Sequence, residues 1–183
     1  MKRPLHAVVV VVVSALLGCG GSPVRQAWDD TFDGDGDDLF LLDDDFVCLS
    51  DERFDDVDGT RVWNGLGRQV EAVEHARSKR LGAYPVGTVL QLFADEASVK
   101  RGRGFSPETA DWEFLTLAFD DDGQTIIAAR GTTEIRNVAG SCIGCHGGAS
   151  AFDYACFTNG GCGSLPFFVD TTVEPDVDDP RCR

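Results

Sequence analysis

The chain has 183 residues, with 31 acidic side chains against 16 basic ones and a formal net charge of −15. A surface this acidic repels nucleic acid phosphates, so no nucleic acid partner is expected. Seven cysteines point instead to disulfide, metal or cofactor chemistry.

The N-terminus reads as an export signal. Lys2 and Arg3 precede an apolar run from Ala7 to Leu17. That run is too short for a permanent membrane span. It ends Leu16-Leu17-Gly18-Cys19, which resembles a bacterial lipoprotein cleavage box. The resemblance implies that residues 1–18 are a signal peptide and that Cys19 is lipidated; a plain secretory signal is the alternative. Several acyl chains on one cysteine anchor a protein stably, each buried methylene contributing about 0.8 kcal/mol. Gly20, rather than Asp, follows Cys19. By the rule for enteric bacteria this implies the outer membrane, with the protein facing the periplasm or the cell surface. Cleavage removes Lys2 and Arg3 and takes the net charge to about −17.

Residues 19–45 read as an acidic, flexible tether. Fourteen acidic residues and one Arg lie between Asp29 and Asp58, and such a run is self-repelling and solvated. The stretch Asp33 to Asp38 resembles a calcium loop but lacks Gly at the sixth position and a closing Glu at the twelfth. The folded domain is expected over 46–183, an ordinary size for one domain.

Within it, Leu66, Val70, Val73 and Arg77 fall at helical spacing, predicting a helix over 64–80 with Asn64 as its cap. A strand is predicted at 86–94 and another at 111–119, the second with apolar residues in both phases and so covered on both faces. Asp120 to Gly123 turn the chain, and Thr125 to Arg130 return as a hairpin partner. A short helix opens near Ser141, and 149–183 reads as Gly-, Pro- and Cys-rich ordered loop.

The stretch with the most chemistry is Cys142-Ile143-Gly144-Cys145-His146. It has the C-x-x-C-H spacing of a c-type haem attachment site. Two thiols on one helical turn bond the haem vinyl groups, and the next residue, His146, ligates the iron. A zinc-binding surface module stapled by disulfides is the alternative; it would need two further ligands at knuckle-like spacing. With Cys19 lipidated and Cys142 and Cys145 on haem, four cysteines remain, which allow three pairings. Cys156 with Cys162 closes a short loop and is preferred, which leaves Cys48 with Cys182. Disulfides and haem attachment both belong to an oxidising, exported setting.

The sixth ligand is narrowed by subtraction. The one methionine is Met1, lost with the signal, so His/Met ligation is excluded. His6 is lost too, leaving His75. It sits among Glu71, Glu74, Arg77 and Ser78, on the polar face of its helix if Val70 and Val73 mark the buried side. The expectation is an open or water-bound distal site lined by Tyr84, Phe93, Phe105, Trp112 and Phe114. An electron-transfer cytochrome with His75 as second axial ligand is the alternative.

The ordered set Tyr84-Pro85-Val86-Gly87-Thr88-Val89-Leu90, Val99-Lys100-Arg101, Gly104-Phe105, Asp111-Trp112-Glu113-Phe114 and Cys142-x-x-Cys145-His146 resembles the cytochrome P-460 family, which includes the cytochromes c′-beta. The resemblance covers about residues 60 to 155. It implies an α+β fold, mainly antiparallel β-sheet with a few packed helices, and one covalently bound haem c. It also implies a small distal pocket for nitric oxide or hydroxylamine, and a redox partner protein. In cytochromes P-460 a lysine is cross-linked to the porphyrin; Lys79 and Lys100 are the candidates here. The tether and the Cys48, Cys156, Cys162, Cys182 set depart from the family pattern.

Overall fold

A computed structural model describes residues 37–78, 81–137, 140–156 and 179–182. These all belong to the unit Gly34–Arg183. The signal peptide, Cys19, most of the tether, Lys79 and Cys162 lie outside the described residues. Among the described residues no helix is long and apolar enough to cross a membrane.

The architecture is α+β, a six-stranded antiparallel sheet with two α-helices. Strands β1 (Asp55–Val57) and β2 (Thr60–Asn64) form a hairpin closed by Asp58 and Gly59. Both turn residues have positive φ, 53° and 86°, the requirement of a two-residue hairpin turn that Asp-Gly satisfies. Helix α1 (Gln69–Ser78) crosses to β3 (Thr88–Gln91), followed by β4 (Glu96–Lys100), β5 (Trp112–Phe119) and β6 (Thr125–Gly131). The strands lie in chain order from β1 to β6. A small hairpin, β7 (Arg136–Asn137) and β8 (Gly140–Ser141), leads into helix α2 (Cys142–His146).

The hairpin expected after β5 forms, with a bulge between Thr116 and Leu117. Gly123 adopts φ 78° in its turn, and a Cβ there would lie 2.6 Å from the Pro180 carbonyl oxygen. Glycine is therefore required for both reasons. Two other elements differ from expectation. The strand expected over 86–94 is β3 alone; the chain turns at 92–95 and returns as β4. From Thr88 to Ala94 the chain contains neither Gly nor Pro, so no breaker marks the turn. The helix starts at Gln69, not Asn64. Asn64 instead ends β2, and its Oδ1 accepts the N–H groups of Leu66 and Arg68 at 3.0 Å each. Val70 is 72% exposed, and the buried stripe of α1 is Ala72, Val73 and Ala76. Small alanines let the helix backbone approach the sheet, which outweighs the greater hydrophobicity of valine at one position.

Pairing aligns Val62, Leu90, Ser98 and Phe114 on one face of the sheet, and Trp63, Val89, Val99 and Glu113 on the other. The first face packs with α1, Tyr84, Ile135 and Cys142. The second is covered by Leu39, Leu41 and Phe46. Residues 38–45, expected in the tether, thus form a strap over the sheet. Leu41 is 1% exposed, and Asp38 pairs with Arg101 at 2.6 Å. Packed structure accordingly begins before the expected boundary at residue 46. Cys48 is bonded to Cys182, joining the two ends of the folded region.

Candidate functional site

Helix α2 carries the C-x-x-C-H motif. Ser141 caps it, its Oγ accepting the Gly144 N–H at 3.2 Å. The Cys142 N–H donates to Ile135 O at 3.0 Å, which pins the helix start to the chain leaving β6. Cys142 and Cys145 stand one turn apart and are both free thiols. Cys48, Cys156 and Cys182 are disulfide-bonded; the expected Cys156 partner, Cys162, lies outside the described residues.

The electrostatics keep the thiols protonated. Burial, then the Glu96 charge, pushes Cys142 up to about 11. The same two causes raise Cys145. Glu96 is itself raised, by burial first and by the Asp95 charge, against a lowering hydrogen bond from Asn137 Nδ2 at 2.6 Å. A redox-active C-x-x-C pair needs the opposite, a lowered thiol.

His146 is half-buried, and its ring lies 4.8 Å from that of Phe114. Its Nδ1 is 2.7 Å from Tyr154 O. A carbonyl can only accept, so Nδ1 carries the hydrogen and Nε2 keeps a lone pair. Burial lowers the His146 pKa, partly offset by this hydrogen bond, so the neutral ring is favoured. A neutral imidazole with Nδ1–H held by a carbonyl is the form that ligates a metal through Nε2.

Of the five aromatics expected at a distal pocket, three meet in one cluster with Cys142: Tyr84, Trp112 and Phe114. Phe105 does not join them; it lies against the Arg101 guanidinium, 4.5 Å from its ring centroid, on the side of the second face. Phe93 sits in the β3–β4 turn, half-buried. The Trp112 Nε1–H is buried without an acceptor among the described residues, a spare donor on the face that carries the motif. His75 is not on a purely solvated face: its ring packs 4.2 Å from Tyr84, which in turn meets Trp112 edge-on at 5.6 Å.

Lys100 is buried at 4% exposure. Its Nζ donates to both carboxylate oxygens of Asp153, at 2.8 and 2.7 Å, and to Ala110 O at 2.6 Å. All three ammonium donors are therefore engaged, and a bond from Nζ to a porphyrin would first have to break a buried ion pair. Asp153 also accepts the Tyr84 N–H at 2.7 Å. No local pattern in the sequence marks Asp153, Tyr154, Glu96 or Asn137. They reach the motif only through the sheet and the loop after α2.

The residues fit a c-type haem by their donor chemistry: two unpaired thiols on one turn, and a neutral imidazole with its remote nitrogen bare. For the zinc alternative, among the described residues no third metal-ligating side chain joins Cys142 and Cys145 in a group of converging ligand atoms. Among the described residues, ligand atoms of three such side chains converge only at Cys48, Asp179 and Cys182, where both sulfurs are in the disulfide. Compared with family models, with curated proteins and with solved structures, the chain matches none. The fold and site thus define an α+β protein with a C-x-x-C-H helix packed on one face of an antiparallel meander.

Proposed function

We propose that this protein is an exported, lipid-anchored mono-haem cytochrome of the P-460 type. The observation that carries the reading is the state of α2: Cys142 and Cys145 remain thiols while the other described cysteines are in disulfides, and the next residue presents a bare Nε2. Cys142 and Cys145 hold the haem by thioether bonds, and His146 is the proximal ligand. Haem iron, when bound, supplies a redox-active centre that takes small nitrogen-oxide ligands such as nitric oxide or hydroxylamine. Tyr84, Trp112 and Phe114 supply an apolar, water-excluding wall beside the motif. The buried pairing of Lys100 argues against Lys100 as the lysine–porphyrin link and leaves Lys79, outside the described residues, as the candidate for a hydroxylamine-oxidising enzyme; without a link the role is ligand binding or electron transfer. Cys19 supplies the membrane anchor, and a redox partner protein delivers or removes electrons.

One observation supports a second reading, an electron carrier with two histidine ligands. His75 packs against Tyr84, within the cluster that contains Cys142. The absorption spectrum of the exported protein separates the two. A high-spin ferrous haem that binds carbon monoxide or nitric oxide supports the open site. A low-spin haem that turns high-spin only in His75→Ala supports the carrier. A chain that migrates on a denaturing gel without a haem stain sinks both. Fatty-acid labelling lost in Cys19→Ala tests the anchor.

A further inference from the structure

We infer that the buried Lys100–Asp153 pair is a positioning device for His146, acting through the backbone of Tyr154. The idea rests on the haem reading for its purpose, though not for its geometry. Asp153 and Tyr154 are consecutive residues with φ of 55° and 59°. Neither is glycine, and left-handed backbone at two successive L-residues persists only where the surroundings enforce it. The surroundings here are specific. The Asp153 carboxylate takes two bonds from Lys100 Nζ and one from the Tyr84 N–H, so both β4 and the segment before β3 grip one side chain. Side chains of Lys100 and Asp153 are each 5% exposed. The Tyr154 N–H is held as well, donating to Ala149 O at 3.0 Å.

The consequence falls on the carbonyl of Tyr154, which is aimed at His146 Nδ1 at 2.7 Å. Without the clamp the backbone at 153 and 154 relaxes toward negative φ, and that carbonyl swings away. The imidazole then loses the acceptor that selects its Nδ1–H tautomer. A ligand histidine with a carbonyl on Nδ1 is a stronger electron donor than one without. Lys100 and Asp153 therefore set ligand orientation and donor strength while touching neither ring nor metal. This gives the buried cation a role that a cross-link to porphyrin would forfeit.

The test uses the full chain with two variants. Asp153→Asn breaks the pair but leaves Lys100 buried and charged. The double variant Lys100→Met/Asp153→Asn removes both charges and is the one expected to keep its fold, checked by circular dichroism and melting. The first readout needs no haem: the 15N spectrum of the His146 ring in protein made without haem attachment. The wild type is expected in the Nδ1–H form, and the folded double variant shifts to a mixture dominated by Nε2–H. In the haem-loaded protein, the double variant keeps its covalent haem, its reduction potential rises, and its ferrous iron–histidine stretching band moves to lower frequency. A folded double variant with the wild-type tautomer and the wild-type potential overturns the inference. If the wild type carries no covalent haem, the haem reading fails while the tautomer measurement still decides the positioning claim.

Discussion

The two faces of the sheet begin from the same material and are closed in different ways. Each carries a row of valine, leucine and aromatic side chains set by the strand register. The second face is sealed by charge. Glu113, 0% exposed, takes bonds from Arg101 Nη1 at 2.7 Å and from Arg130 Nε at 2.6 Å and Nη2 at 2.8 Å. Arg101 also reaches Asp38, and Arg130 donates to Leu41 O at 2.9 Å, so the network staples the strap down. Phe40 lies against both guanidinium groups, 5.4 and 4.0 Å from them. On the first face the covering elements are α1 and α2, which bring thiols and two imidazoles over the Trp112 Nε1–H of β5, a donor without an acceptor among the described residues. The buried charges of the second face have their partners in place and hold structure together, whereas a buried polar group without one is where a ligand is to be sought.

The comparison breaks most sharply at α2. Replacing Cys142 and Cys145 together by Ala is expected to abolish covalent haem altogether, read as loss of the haem stain on a denaturing gel. The strap should be unaffected, since the hydrophobic cluster that holds it includes no residue of α2. Retained covalent haem would remove the chemical distinction between the faces.

On the second face the largest effect is expected at Glu113. Glu113→Ala leaves Arg101 and Arg130 buried without their shared partner, and breaking a buried pair in this way costs about 3–5 kcal/mol. Urea unfolding of the variant measures it. A loss below about 1 kcal/mol, the range of an exposed pair, would mean that the network is wet.

Leu41→Ala comes next. It empties a fully buried site under the strap and should cost about 2–4 kcal/mol by the same measurement, depending on how far the strap collapses. An unchanged midpoint would return residues 38–45 to the tether.

The smallest effect is a pH dependence at Asp38. Burial raises its pKa, but the Arg101 side chain, the Gly102 N–H and the Arg101 charge outweigh this and hold it below the ordinary 3.8. A carboxylate whose folded value is depressed stabilises fully above its unfolded value, and the contribution fades as pH falls through the folded one. Wild type should therefore exceed Asp38→Asn in stability at pH 7, with the gap closing below about pH 4. A gap that does not narrow at all as the pH falls below about 4 would sink the assignment.

Local rules specify several elements of this chain. The C-x-x-C-H spacing and the Ser141 start define α2 because both are consecutive-residue features. The β5–β6 hairpin follows from alternation broken by Asp120 to Gly123; Cys48 with Cys182, 134 residues apart, follows from elimination among four cysteines and not from a local pattern. The β1–β2 hairpin was equally legible in Asp58-Gly59, a strong turn signal, but the acidic run around it masks the alternation. Tertiary structure alone decided the rest. A segment as acidic as 37–45 reads as solvated until Arg101 and Arg130, far along the chain, supply the charges that let it lie down. Val70 and Ala72 compete for the buried side of α1, and closeness to the sheet, not hydrophobicity, settles it. The hold on His146 is the least local of all. It runs from β4 through Lys100 and Asp153 to one carbonyl, and left-handed backbone at Asp153 and Tyr154 runs against the preference of both residues. No window of sequence contains that constraint, because the groups that enforce it meet only when the sheet has formed.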